Sequence, residues 1–189
     1  MHSIMWQPTE EQINNSQMMD YMQLVNQKFG LSLKKYSQLY DWSIEKAEDF
    51  WGSFWEYSQI IHHSPYSQVV DDLGKMPGAK WFDGATLNFA ENLLRYRDDK
   101  IAILFQGEDG TQSSLTYKEL HDQVSRLARS MREMGIVKND RVAGFMPNIP
   151  ETIITMLATA SIGAIWSSCS PDFGIKGVLD RFQQIEPKL

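Results

Sequence analysis

The sequence predicts an α/β fold: an incomplete mixed sheet with flanking helices, preceded by a helical extension. Three patterns carry this expectation. Arg141 to Met146 and Ala164 to Ser168 are short apolar runs, and Ile153, Ile154, Leu157, Ala158 and Ile162 recur between them at helical spacing. Strand, helix and strand in that order make a βαβ unit with parallel strands and a right-handed crossover. Ile101 to Phe105 and Ser113 to Thr116 flank Gly107-Glu108-Asp109-Gly110, the pattern of a hairpin. Ahead of both, aromatic and apolar residues repeat at three- and four-residue intervals, which is a helical pattern.

In chain order, Thr9 with Gln12 forms a capping box. Met18, Tyr21, Met22, Val25 and Phe29 then continue one helix as far as Gly30. A second helix is expected from near Ser43, with Ala47, Phe50, Trp51, Phe54, Trp55 and Ser58 on one stripe. At that spacing the aromatics form a packing face rather than a ligand cage. His62-His63 has no third ligand nearby at metal spacing. Asp71-Asp72 reads as a solvated helix surface, and Gly74 to Leu87 as the main loop. Gly74-Lys75 is not a P-loop, which needs Gly-x-x-x-x-Gly-Lys-Ser/Thr between strand and helix.

Asn88 caps a short helix through Leu94. Thr116 and Glu119 then form a second capping box. It opens a helix whose apolar face is Leu120, Val124, Leu127, Ala128 and Met131, stopped by Gly135 and Ile136. Pro150 and Glu151 open the crossover helix and Gly163 closes it. A final helix from about Ile175 is expected to bury Val178, Leu179, Phe182 and Ile185.

Composition narrows the function classes. There are 24 carboxylates against 18 Lys and Arg, and the cations are not clustered. Nucleic acid is therefore excluded as a partner, since binding it requires clustered cations against the phosphates. The one cysteine, Cys169, rules out an internal disulfide, fits a reducing cytoplasm and reads as a small buried residue at a strand end. The longest apolar run, around Ile153 to Trp166, falls short of the roughly 20 residues that a membrane span needs. The N-terminus has neither the cationic start nor the apolar core of a secretory signal.

The stretch from Leu115 onward resembles the opening of the acyl-adenylate-forming superfamily, which contains the acyl-CoA synthetases. Its frame is Tyr117, Gly135, Asp140, Arg141, Val142, Pro147, Asn148, Pro150, Glu151 and Gly163. Trp42 to Tyr57 resembles the N-terminal extension shared by acetyl-CoA and acetoacetyl-CoA synthetases. Trp81 to Leu94 and Trp166 to Gly174 resemble the acetoacetyl-CoA synthetase family in particular. On this resemblance residues 1–97 are the helical extension, and residues 98–189 are the first, truncated part of the AMP-binding domain.

The resemblance implies a two-step reaction. A carboxylate, here acetoacetate, attacks the α-phosphate of ATP with Mg²⁺ offsetting the charge, and the thiol of CoA then displaces AMP. It also implies that the phosphate loop, the ribose-binding aspartate and the catalytic lysine lie downstream of Leu189. No catalytic residue and no metal ligand are thus expected in this chain, and no cofactor bound by it alone. The one cofactor contact carried over is that of Trp166 and Ser168 with the CoA nucleotide. Two other readings stand beside this one, a stand-alone interaction module and a fragment of an acetyl- or propionyl-CoA synthetase. The two apolar strands of the βαβ unit have few charges at their edges, so self-association through an uncovered sheet is expected.

Overall fold

Ser16 decides how the chain begins to fold. In the computed structural model, which describes residues 4–189, Thr9 and Gln12 close the expected box at 3.2 and 2.9 Å. The helix they open, α1 (Glu10–Asn14), ends after five residues. The Ser16 hydroxyl then accepts from the Met19 amide and starts α2 (Gln17–Phe29). The single helix expected from Thr9 to Gly30 is therefore two, because a second capping residue interrupts it. Gly30 closes α2 in the left-handed conformation at φ 68°.

The next expectation is also corrected. Ser43 lies inside α3 (Tyr36–Glu45), and Lys46, at φ −124° and ψ 50°, separates α3 from α4 (Ala47–Tyr57).

These helices pack around Tyr21, Met22, Val25, Leu39 and Trp42. The Tyr21 hydroxyl lies 2.8 Å from the Ser53 hydroxyl and donates to the Phe50 carbonyl at 3.0 Å; burial pushes its pKa up. The aromatic stripe of α4 is a packing face. Phe50, Phe54 and Tyr57 surround the Tyr21 ring, and Trp55 stacks on Phe82 at 4.5 Å.

Phe82 belongs to a strand that the sequence hid. Within the expected loop, β2 (Trp81–Asp83) pairs antiparallel with β1 (Gln68–Val70). Three-residue strands are too short to show alternation, and the Gly-rich surroundings masked them. Gly52 lets α4 approach this hairpin, since a Cβ there would lie 3.2 Å from Val69 Cγ2. Asp71 and Asp72 follow β1 in a turn instead of a helix. The Lys75 ammonium and then the Lys80 amide hold the Asp71 carboxyl down to about 2.

The chain forms two compact units, residues 1–86 and 87–189. The second opens with α5 (Phe89–Leu93), and Asn88 makes three contacts there. Its side-chain oxygen accepts from the Glu91 amide at 3.1 Å, capping α5. Its amide nitrogen donates to the carbonyls of Ala160 and Ser161 at 2.9 and 3.3 Å.

The hairpin stands where expected, β3 (Ile101–Gln106) against β4 (Gln112–Thr116). Thr116 and Glu119 close their box on α6 (Tyr117–Glu133), and Gly135 at φ 81° ends it, with the Ile136 amide on the Met131 carbonyl. Then β5 (Arg141–Phe145), α7 (Pro150–Ser161) and β6 (Ile165–Cys169) form the βαβ unit. Its strands are parallel, with Val142 opposite Trp166 and Gly144 opposite Ser168. A 3₁₀ turn (Pro171–Phe173) leads to α8 (Gly174–Ile185).

The α/β class is thus observed. Among the described residues its strands are distributed over three two-stranded sheets, two antiparallel and one parallel. The core of the second unit joins α5, α6, α7 and β5 through Ala90, Leu120, Val124, Met131, Val142 and Leu157.

One expectation fails here. None of the α8 side chains is buried: Val178, Phe182 and Ile185 are half-buried and Leu179 is 51% exposed. The helical period placed these residues on one stripe correctly, but within this unit α8 packs only lightly, near β5 and the 3₁₀ turn before it.

Candidate functional site

Parallel strands joined by a crossover helix bind ligands beyond their carboxyl ends, where the loops diverge. In the second unit that end is formed by Met146 to Ile149 after β5 and by Ser170 to Phe173 after β6. Pro147 turns the chain away from β5, and its carbonyl accepts from the Thr152 hydroxyl at 2.7 Å, fixing the loop to the first turn of α7. Ser170 and Asp172 form a closed local motif. The hydroxyl donates to the Asp172 carboxylate at 2.8 Å and accepts from the Asp172 amide at 3.4 Å. The Met146 amide donates to the Cys169 carbonyl, which extends the ladder to the mouth of the site.

The two residues carried over from the family stand in this unit in different surroundings. Trp166 is half-buried and packs on the core of the unit, its indole lying over Gly144. The approach is close: a Cβ on Gly144 would sit 2.3 Å from Trp166 Cη2. Ser168, two residues further along the same strand, is exposed. Alternation puts both on one face of the strand, but only Trp166 packs against the core. Cys169 is 3% exposed, as its reading as a small buried residue requires.

At the opposite end of the strands lies a salt-linked turn. Asp140 accepts from the Val137 amide at 2.8 Å and from the Lys188 ammonium at 2.6 Å. The Lys188 bond, then the Val137 amide, hold its carboxyl below the usual range. Backbone bonds from Lys188 to the Arg141 carbonyl and from Ala143 to the Leu189 carbonyl occupy the outer edge of β5. Asp140 and Arg141, two frame residues of the family resemblance, thus do structural work in this unit. The second frame pair, Pro150 and Glu151, opens α7.

Elsewhere, the His62 ring lies 5.7 Å from Trp55. Among the described residues no group of three His, Cys, Asp or Glu side chains is placed to hold a metal ion. No helix of the described residues is long and apolar enough to cross a membrane. The dual role of Asn88 was not legible beforehand. Its cap was, from the helix that follows, but the carbonyls it reaches lie 72 and 73 residues away.

This arrangement, a βαβ unit with a hairpin-led helix packed on it, agrees with the family comparisons. Residues 89–189 match the family described as AMP-binding enzyme, and residues 36–93 match that described as acetyl-coenzyme A synthetase N-terminus. The chain belongs to the AMP-binding enzyme family.

Within that family it is similar to the N-terminal portion of acetoacetyl-CoA synthetases. It is 45% identical to the acetoacetyl-CoA synthetase of Macaca fascicularis over 189 residues and 48% identical to that of Rhizobium meliloti over 185. Each match covers 98% of this chain and 28% of the relative, so the chain spans less than a third of their length. The solved acetoacetyl-CoA synthetase of Streptomyces lividans matches 96% of this chain and 29% of its own, with TM-score 0.88 and 40% identity.

Proposed function

We propose that this chain supplies the N-terminal portion of an acetoacetate–CoA ligase, which makes acetoacetyl-CoA, AMP and pyrophosphate in the cytoplasm. Similarity to acetoacetyl-CoA synthetases across both compact units carries this reading. In functional terms residues 1–97 are the extension and residues 98–189 the start of the AMP-binding domain. The complete ligase would use ATP, Mg²⁺ and CoA.

The chain alone is expected to be inactive. Transferring an adenylyl group requires donors arranged around the phosphates, and these 189 residues contain no phosphate-loop motif. With acetoacetate, ATP, Mg²⁺ and CoA, the purified chain should release pyrophosphate at the background rate and should show no affinity for ATP. Turnover by a preparation free of host ligase would overturn this.

Trp166 and Ser168 are proposed as a contact for the CoA nucleotide. The exposed Ser168 hydroxyl and the part of Trp166 left open beside it support this, and the buried part of the indole limits it to an edge contact. With 5-fluorotryptophan incorporated, the Trp166 fluorine resonance, assigned through W166F, should shift on addition of CoA and not of pantetheine. An unmoved resonance would remove the contact.

Self-association belongs to the same reading. The second face of the β5–β6 sheet leaves Phe145 and Ile165 about half exposed, and Phe173 and Ile175 add further apolar surface. Patches beyond a few hundred Å² drive association. Light scattering should show the isolated chain forming oligomers as its concentration rises. A monomer that stays silent to a hydrophobic-surface dye would favour a stand-alone interaction module instead.

A further inference from the structure

The break between α1 and α2 creates a feature that the ligase reading does not use. Because Ser16 caps α2 afresh, Ile13 of α1 and Met18, Met19 and Met22 of α2 line one cavity, closed on its other side by Lys34 to Tyr36. Its volume is about 460 Å³, within the usual range of small-molecule sites. The first compact unit contains the whole cavity.

Two properties select its ligand. The lining is almost wholly apolar, and methionine, unbranched and polarisable, adapts to flexible aliphatic chains better than a branched residue does. The charged residues of the lining are Lys34 and Lys35, both exposed, and neither has an ion-pair partner among the described residues. Glu10 and Glu11 of α1 and Asp20 of α2 do not belong to the lining. An apolar tail inside and an anionic head toward the exposed Lys34 and Lys35 is the complementary shape and charge.

We propose that this cavity binds an aliphatic carboxylate, with the chain between α1 and α2 and the head group against Lys34 and Lys35. The site lies within the first compact unit, among residues of the N-terminal extension.

The test uses the full chain with its methionine methyl groups labelled. Decanoate, below its micelle-forming concentration, should shift the Met18, Met19 and Met22 resonances saturably and leave Met131 and Met156 in place. Decyltrimethylammonium, with the same tail and the opposite head, should bind at least about tenfold more weakly, as charge complementarity requires. K34E/K35E, two changes at exposed positions, should reverse that preference while preserving the methyl dispersion of the fold. Three results would overturn the proposal: no shift with decanoate, equal binding of both heads, or a preference unaltered in K34E/K35E. Binding of an acidic amphipathic peptide at these methyls without decanoate binding would equally overturn it, in favour of a protein partner.

Discussion

Met131→Ala is expected to destabilise the second unit by about 2–5 kcal/mol, the range for truncating a long buried side chain. Met131 is 2% exposed and is among the largest fully buried side chains of the chain. It sits on α6, on the face formed with Leu120, Val124 and Ala128, and its sulfur lies 3.8 Å from the Thr159 hydroxyl of α7. That hydroxyl has the Thr155 carbonyl as an acceptor at 2.8 Å, so truncation does not leave it orphaned. The cost is then mainly lost burial plus an unfilled cavity, because two rigid helices cannot close over the gap. Met131→Leu, nearly equal in volume, should cost less than about 1.5 kcal/mol. Urea unfolding read by exchange of the α6 amides measures both. A loss below about 1 kcal/mol for the alanine variant would mean that the α6–α7 interface is looser than its burial indicates.

Gly144→Ala should cost about 1–3 kcal/mol by overpacking, although it adds only a methyl group. Strand propensity alone predicts the opposite, since glycine weakens a strand interior. The added Cβ would lie 2.3 and 2.9 Å from Trp166 Cη2 and Cζ2 and 3.3 Å from Met146 Sδ. The indole is a rigid plate held between β5 and the core, so the strand or the ring must move. Replacing the ring as well, in G144A/W166L, should recover part of the loss. A double-mutant cycle would then give a coupling of about 0.5–3 kcal/mol between neighbours in contact. A neutral or stabilising Gly144→Ala, with the Trp166 fluorine resonance unmoved, would show that the ring does not occupy this place.

The two predictions concern one core, that of the second unit, and they differ in how readable they were. Met131 could be placed in the core from sequence. Its period with Leu120, Val124 and Ala128 specifies a helix face, and an amphipathic helix in water must bury that face. Gly144 was readable only as part of an apolar run. Nothing local announces that Trp166, opposite Val142 two residues earlier, will lay an indole across it.

The sequence by itself determined those features whose causes lie within a few residues. The Thr116–Glu119 box, the left-handed stops at Gly30, Gly135 and Gly163, the β3–β4 hairpin and the order β5–α7–β6 are of this kind. Capping, turn conformation and hydrophobic period act over one or two turns of chain, so the residues concerned are adjacent in the text. The candidate contact at Trp166 and Ser168 was legible as two residue numbers, and their unequal burial was not.

Tertiary structure alone decided the rest. The β1–β2 pair exists because α4 covers it, with Gly52 on Val69 and Trp55 on Phe82. Strands of three residues have no period of their own to be read. The stripe on α8 stayed partly in water because burial needs an opposing surface, which no stripe contains in itself. Asn88 reaches the end of α7, and the cavity beside Met22 opens, for the same reason. Each depends on where a distant segment is brought to rest, a matter of packing free energy summed over the whole unit and not of local preference.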